Sequence, residues 1–418
     1  MTIQLGCIAD DFTGATDLAN NLVRSGMKTV QIIDTPDSDR LIQADAVVIA
    51  LKSRTTPVKE AIAESLKALV WLQRQGASQI YFKYCSTFDS TPEGNIGPVT
   101  EALMQALNTN FTIATPAFPD NKRTVFKGYL FVGDVLLNES GMQNHPLTPM
   151  TDANLVRVMQ AQCQRKVGLI DHTVVAKGSQ AIATKIDELK AEGTQIAIVD
   201  ATSNQDLINM GAAFKSLPLL TAGSGVAIGL ANNFGLSANP QASALPVRMG
   251  LQAIISGSCS IATNAQVKHF IGQGGAAIAI DPLELVISEQ VIAKTLDWAK
   301  KQYAVSDKPI LIYSTGEPST IKAVQAKIGV AKAGALVENT LATIAQGLIA
   351  IGVKQLIVAG GETSGACVKA LGVKVLRIGA QIDPGVPWCF TDTEIHLALK
   401  SGNFGTEDFF TKSFTVTL

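Results

Sequence analysis

The chain has 418 residues, of which 47% are apolar, 17% charged and 6% aromatic. At roughly 150 residues per domain, this length predicts two large domains or three small ones, with enough chain to bury a sizeable core. A charged fraction below the usual value of about 25% excludes a disordered chain. The net charge of -1 excludes an overall positive electrostatic field that would hold nucleic acid or an anionic membrane. It does not exclude a local basic pocket. We therefore expect a globular protein with a small-molecule partner.

The sequence shows little sign of a membrane-spanning segment or a secretion signal. The most apolar stretch, 341–358, places Leu341, Ile344 and Leu348 at helical spacing, which predicts a core helix and not a bilayer span. The first residues lack the basic start and cleavage site of a signal peptide. Six cysteines lie far apart without a CxxC pair, which favours buried thiols in a reducing compartment. These features predict a cytoplasmic protein.

Short segments rich in valine and isoleucine alternate with amphipathic segments along the chain. The predicted strands are 3–9, 29–33, 46–50, 79–83, 196–199, 253–256, 310–313, 355–359, 374–378 and 394–397. Helical spacing separates them, for example over 58–72 and 336–351. This alternation predicts an α/β fold with mostly parallel sheets covered by helices. Ligands in such folds bind beyond the carboxyl ends of the strands, so the loops there are the candidates for chemistry.

One stretch is typical of a domain linker. Residues 235–250 contain two prolines, many small residues and a single charge, and a new strand begins directly afterwards. The sequence therefore predicts two α/β domains, 1–244 and 245–418.

Two adjacent carboxylates, Asp10 and Asp11, follow the first strand and precede a helix. Such a pair is costly at the end of an apolar strand unless it is ion-paired, solvated or used. A helix N-cap explains one of the two, and a functional carboxylate pair explains both. The phosphatase motif Asp-x-Asp does not fit at this strand end, because Phe12 occupies the second position after Asp10.

Two further strands in the first half end in loops that combine a cation with hydroxyl groups. Arg54 lies in the loop 52–56, and Lys83 and Thr87 lie in the loop 83–91. A guanidinium group suits a carboxylate or a phosphate, and hydroxyls suit a polyol. Each loop taken alone could be an ordinary solvated loop. The three loops together favour a small, anionic, hydroxylated ligand.

The second half carries three loops rich in glycine and serine, at 256–260, 360–366 and 401–405. Glycines let the backbone approach a ligand, and amides at a helix start favour phosphate. Glu362 or Thr363 could orient ribose, phosphate or Mg²⁺. A Walker A motif is absent from the sequence. The glycines at 223–229 lack both the spacing and the acidic residue of an NAD site.

With these residues in view, the chain resembles the four-carbon acid sugar kinase family. The resemblance lies in Ala-Asp-Asp-x-Thr-Gly-Ala at 9–15, the loop 83–89, Gly-Gly-Glu-Thr at 360–363 and Lys-x-Gly-Asn-Phe-Gly at 400–405. It implies ATP-dependent phosphorylation of the terminal hydroxyl of a four-carbon sugar acid, with ATP and Mg²⁺ as cofactors. It also implies that residues 1–244 bind the sugar acid and residues 245–418 bind the nucleotide.

The resemblance also suggests roles for individual residues. Asp10 or Asp11 would be the catalytic base. The substrate would be bound by Arg54, Lys83, Thr87 and Asp89. The nucleotide would be bound by Ser258, Gly360, Gly361, Glu362, Thr363, Asn403 and Gly405. The metal ligands and the oligomeric state stay open, and the alternatives are a non-catalytic sugar-acid-binding protein and an NAD-dependent sugar-acid dehydrogenase.

Overall fold

The computed structural model describes residues 3–37, 41–88, 91–144, 148–247, 249–287, 290–314 and 329–416. The chain divides into two compact units, Met1–Ser243 and Ala244–Leu418. This division lies within the segment 235–250 that the composition marks as a linker. Asp89 lies outside the described residues.

In its described residues, the first unit has a sheet of eight parallel strands. In chain order they are β1 (Leu5–Ala9), β2 (Thr29–Ile33), β3 (Ala46–Ala50), β4 (Gln79–Lys83), β5 (Thr112–Thr115), β9 (Val167–Ile170), β10 (Ile196–Val199) and β11 (Leu219–Ala222). Their order across the sheet is β2-β3-β1-β4-β11-β5-β10-β9. A three-stranded antiparallel sheet interrupts the chain order, with β6 (Arg123–Phe126), β7 (Tyr129–Val132) and β8 (Val135–Leu136).

Helices connect these strands, as parallel pairing requires. They span Phe12–Arg24, Val58–Arg74, Ile96–Ala106, Leu155–Gln162, His172–Val175, Ser179–Ala191 and Asn204–Ala213. The first helix is buried from Thr13 to Val23, so it has no solvent-facing side along most of its length.

The second unit has a mixed sheet. Its strands are β12 (Leu251–Ser256), β13 (Ala276–Ala279), β14 (Ile310–Tyr313), β15 (Val353–Ala359), β16 (Val375–Asp383), β17 (Val386–Thr391) and β18 (His396–Lys400). Their order is β13-β14-β12-β15-β18-β17-β16, with β17 antiparallel to both neighbours and the other pairs parallel. The helices span Ile261–Gly272, Pro282–Ile287, Gln290–Tyr303, Val330–Ile351, Gly361–Ala370 and Phe409–Lys412.

The predicted α/β class with mostly parallel sheets is confirmed. Several strands were missed, and β5 shows why. Its sequence Thr-Ile-Ala-Thr has little apolar bulk, yet both threonines are fully buried. The Thr112 hydroxyl donates to the Leu219 carbonyl at 2.8 Å. The neighbouring strand β11 therefore satisfies the hydrogen-bonding need of this buried hydroxyl.

By length and composition, Gly334–Ile351 is a weak candidate for a membrane span. Leu341, Ile344 and Leu348 are nevertheless fully buried in the protein, as predicted for a core-facing helix. Gly352, with φ of 115°, ends the helix before β15 begins. The expectation of buried thiols holds for four of the six free cysteines, since Cys85 and Cys259 are half-buried.

Candidate active site

Five adjacent strands of the first sheet bring their carboxyl ends to one edge, in the order β3, β1, β4, β11 and β5. The registers place Ala9 beside both Ala50 and Lys83. The loops that follow β3, β1 and β4 carry Arg54, the aspartate pair and Lys83. The structure therefore brings together the three charged loops that the sequence places far apart.

Arg54 binds both aspartates. Its Nε donates to Asp10 Oδ2 at 2.9 Å, and one terminal nitrogen donates to Asp10 Oδ1 at 2.8 Å and to Asp11 Oδ1 at 2.7 Å. The contact with Asp10 is the two-pronged geometry that makes arginine a strong carboxylate ligand. Asp10 is almost completely buried, whereas the Asp11 side chain is 25% exposed.

Backbone and amide contacts hold Arg54 in place. The Asp10 carbonyl accepts from the amides of Ser53 and Arg54, at 3.0 and 3.2 Å. The buried side chain of Asn95 donates to the carbonyls of Ser53, Arg54 and Thr56. The loop after β3 is thus fixed from two sides, and its guanidinium group points at the aspartates.

Asp11 also caps the first helix, as one of the two sequence interpretations predicts. Its Oδ1 accepts from the Gly14 amide at 3.1 Å, and its Oδ2 accepts from the Thr13 hydroxyl at 3.0 Å. The buried Lys83 ammonium lies 3.8 Å from Asp11 Oδ1. A side chain at Gly14 would collide with the Lys83 ammonium. Glycine at position 14 therefore leaves the space that the Lys83 ammonium occupies at the start of the first helix.

The two carboxyl groups differ in their pKa values. Burial raises the pKa of Asp10, and the Arg54 guanidinium opposes this shift only in part. Burial also acts to raise the pKa of Asp11, but Arg54 and Lys83 outweigh it and hold this pKa below its usual value. Asp11 is therefore ionised at neutral pH.

The loop after β4 supplies a hydroxyl and a thiol. The buried Thr87 hydroxyl lies 2.7 Å from Cys85 Sγ. Phe88 follows with φ of 50° and stacks edge-on against Tyr84, which turns the chain. The next predicted substrate residue, Asp89, lies outside the described residues.

Sequence reasoning missed a buried carboxylate below this cluster. Asp17 lies in the first helix, 97% buried, and accepts a short hydrogen bond from the Ser224 hydroxyl in the loop after β11. Burial raises the pKa of Asp17 to about 6, while Lys83 acts in the opposite direction. The signal was a polar stripe of Thr13, Asp17 and Asn20 at helical spacing, which the apolar stripe of the same helix obscured.

The second unit assembles the three predicted glycine- and serine-rich loops in the same way. Adjacent strands β12, β15 and β18 end level with one another, with Ala359 paired to both Ser256 and Lys400. Gly360 has φ of 122°, a conformation that favours glycine, and a side chain there would crowd the Ser258 backbone. A side chain at Gly402 would meet the Ser258 hydroxyl. These loops are therefore in close contact, and the Ser260 hydroxyl donates to the Gly402 carbonyl.

A helix begins in the middle of these loops. Gly361–Ala370 has no side-chain N-cap, and Gly361 and Glu362 are exposed while Thr363 is buried. The amides at such a start attract anions. Asn403 is exposed on the loop after β18, and Gly405 turns toward Gln266, whose amide donates to the carbonyls of 404–406.

Lys400 lies fully buried beneath the last of these loops. Its ammonium donates to the Thr263 hydroxyl at 2.9 Å and to the carbonyls of Ser401, Gly402 and Phe404 at 2.9 to 3.2 Å. Burial lowers the pKa of Lys400 to about 7, with Asp383 opposing the shift. Lysine thus organises the loop from below by binding its carbonyls.

Family models match both units. A sugar-binding N-terminal domain matches residues 5–230, and a nucleotide-binding C-terminal domain matches residues 253–410. A Cupriavidus necator protein named 3-oxo-tetronate kinase is 56% identical to this chain over 97% of it and 95% of its own length. The chain belongs to the four-carbon acid sugar kinase family. A Haemophilus influenzae protein, also named 3-oxo-tetronate kinase, is 46% identical over 97% of this chain and 98% of its own length.

Solved structures agree with this family membership. The crystal structure of a Haemophilus influenzae protein matches with a TM-score of 0.80 and 45% identity, covering 99% of this chain and 100% of its own. That of a Salmonella typhimurium protein described as a putative tRNA synthase has a TM-score of 0.89 and 44% identity, with 98% of each chain covered. The four-carbon acid sugar kinase fold thus extends over the whole chain.

Within the part of the chain that the structure describes, no group of three or more His, Cys, Asp or Glu side chains is arranged to bind a metal ion. Magnesium in kinases is bound mainly by phosphate oxygens and water, with one or two carboxylates. Glu362, exposed in the first turn of its helix, is a carboxylate at the phosphate-friendly loops. The residues present therefore fit a magnesium ion that arrives with a nucleotide.

The buried Asp17 predicts a pH-dependent stability. Its carboxyl has a pKa of about 6 in the folded chain against an ordinary 3.8, so the folded chain binds more protons between these values. The free energy of unfolding should therefore fall by about 2 kcal/mol as pH rises from 4 to 7 on account of this group. Asn at position 17 does not titrate, so the Asp17→Asn variant should not lose this free energy of unfolding as pH rises. Its stability relative to the wild type should therefore increase by the same amount from pH 4 to pH 7.

Urea unfolding at pH 4 and pH 7 measures this difference. Asp37→Asn is the matched control, because the Asp37 side chain is 95% exposed and should give the same difference at both pH values. A stability difference between Asp17→Asn and the wild type that does not change with pH would contradict the assignment.

Proposed function

We propose that this member of the family is an ATP-dependent kinase that phosphorylates the C4 hydroxyl of 3-oxo-tetronate to give 3-oxo-tetronate 4-phosphate. As a kinase, it is a phosphotransferase that acts on an alcohol group. The observation that carries the proposal is the ion-paired cluster of Asp10, Asp11, Arg54 and Lys83 in a chain that is similar over nearly its whole length to proteins named 3-oxo-tetronate kinase.

In this reaction the substrate oxygen bonds to the γ-phosphorus of ATP, the bond to the bridging oxygen breaks, and ADP leaves. The hydroxyl proton needs an acceptor. Asp11 is the better candidate, because its carboxylate is ionised and a quarter exposed. Both oxygens of Asp10 accept from Arg54, and its side chain is only 7% exposed. Asp10 thus holds Arg54 in position.

The cations suit the transferring phosphoryl group. Arg54 and Lys83 both lie at Asp11, which is where the reacting hydroxyl would bind. Fixed positive charge at this point stabilises the negative charge that the phosphoryl oxygens carry during transfer. Thr87 offers a hydroxyl on the adjacent loop for the polyol chain.

The second unit suits the nucleotide. The start of Gly361–Ala370, the turn at Gly360 and the Ser258 loop offer backbone donors for phosphates. Asn403 and Gly405 belong to the loop that Lys400 organises. Magnesium would be held by the ATP phosphates with Glu362, and it would supply charge neutralisation on the β- and γ-phosphates.

An ATP-consumption assay tests the proposed reaction. We expect turnover with 3-oxo-tetronates in a panel that also contains threonate and erythronate, with one phosphorylated product per ADP formed. Thermal protection by ADP with Mg²⁺ should accompany it. Absence of ADP formation with every acid in the panel would contradict the kinase assignment, and protection by NAD instead would favour a dehydrogenase.

Asp11→Asn tests the proposed base. Loss of the proton acceptor should lower kcat by at least about 10²-fold, while the amide retains an oxygen for the helix cap. Asp187→Asn is the matched control, since the Asp187 side chain is 81% exposed and should leave kcat unchanged. A nearly unchanged kcat in both Asp10→Asn and Asp11→Asn would rule out a base in this pair.

Lys400→Met tests the loop beneath the nucleotide. Three carbonyls and a buried hydroxyl would each lose one donor, so the loop 401–405 should loosen and the KM for ATP should rise by about 10-fold, with a smaller change in kcat. Lys300→Met, at a position 61% exposed, is the control. An unchanged KM for ATP in folded Lys400→Met would show that the loop does not bind nucleotide.

A further inference from the structure

Arg123 follows β5 and lies on the same edge of the first sheet as the aspartate cluster, at the opposite end of the row of five strands from β3. It starts β6, and its backbone pairs with Phe118 in the loop that follows β5. That loop packs closely on the loop after β11, because side chains at Gly223 and Gly225 would collide with the carbonyls of Pro116 and Ala117. Arg123 is therefore carried into the row of loops by backbone packing.

The Arg123 side chain is half-buried, and within the described ranges it forms no ion pair. One terminal nitrogen donates to the Asn121 carbonyl. Among the described residues, Nε of Arg123 is buried without an acceptor, and so is the side-chain amide nitrogen of Asn121. No ion pair joins Arg123 to a carboxylate of the described ranges. Buried donors without acceptors are costly in free energy. The Arg123 guanidinium and the Asn121 amide could both donate to a bound carboxylate.

The other cations of this edge are already bound. Arg54 contacts both aspartates, and Lys83 lies beside Asp11. Cys85 lies near enough to interact electrostatically with Arg54 and with Arg123, and Asp17 likewise with Lys83 and Arg123. Arg123 therefore lies within electrostatic range of groups that also interact with the cluster. Burial lowers the pKa of Arg123, as expected for a cation whose charge is poorly compensated.

We infer that Arg123 binds the carboxylate of the sugar acid and thereby selects acids over neutral sugars. The inference rests on the proposed function. Strands β1 and β5 are three positions apart in the sheet, about 14 Å at the usual strand spacing. A four-carbon acid is about 5 Å long, and the long arginine side chain with hydrogen bonds at both ends covers the remainder. The C4 hydroxyl would then lie at Asp11.

A pair of matched substrates tests this role. Erythrulose has the ketone and terminal hydroxyl of 3-oxo-tetronate but a neutral CH₂OH group where the acid has its carboxylate. In the wild type, we expect kcat/KM to be at least about 10²-fold higher for the acid. Arg123→Gln should raise the KM for 3-oxo-tetronate by about 10²-fold, leave erythrulose kinetics nearly unchanged and so abolish the preference. Arg123→Lys should restore part of it.

Lys122→Gln is the matched control, because it removes the same charge from the exposed neighbouring residue and should keep the preference. A folded Arg123→Gln enzyme that still prefers the acid as strongly as the wild type would overturn the inference. Failure of the wild type to phosphorylate any tetronate would instead contradict the proposed function. In the unaltered enzyme, the Arg123 Nε–H resonance should shift on adding 3-oxo-tetronate and stay in place with erythrulose. An unmoved resonance at saturating acid would also overturn the inference.

Discussion

The ion pairs between Arg54 and the two aspartates are the constraint on which the first site depends. Asp10 is too deeply buried to remain ionised alone, and Arg54 supplies a charge and two donors at 2.8 and 2.9 Å. Removing Arg54 would leave Asp10 as a buried charge without its ion-pair partner, which is strongly unfavourable. The pair therefore joins the loops after β1 and β3, and leaves Asp11 ionised and partly exposed for chemistry.

In both units the candidate site lies at the carboxyl ends of adjacent parallel strands. In the first unit, charged side chains converge and suit a polyol and a phosphoryl group. In the second, glycine turns and the start of Gly361–Ala370 present backbone, and the buried ammonium of Lys400 binds the carbonyls of the last loop. Phosphates are recognised by backbone amides at helix starts, so a nucleotide site needs fewer charged side chains than a sugar-acid site does.

The predictable part of the site consists of residues at the ends of apolar strands or in the loops that follow them. Lys83 ends β4, Asp10 directly follows β1, and Arg54 lies in the loop after β3, so strand prediction alone placed them at one edge. Arg123 and Asp17 follow no such rule. Arg123 reaches the edge through a short hairpin strand, and Asp17 faces inward from a helix. The basic segment before β6 and the polar stripe of the first helix were visible in the sequence, but neither pattern distinguishes a site from solvated surface.

The sequence by itself determined the α/β class, the alternation of strands and helices and the loops that carry charge or glycine, because these depend on local periodicity and residue type. Only the tertiary structure decided which loops are neighbours, since strand order across a sheet depends on long-range packing. It also decided which charges neutralise each other. Arg54 has two carboxylates and Arg123 has none among the described residues, although both are arginines in polar loops. That difference arises from distance and burial, which no local pattern encodes.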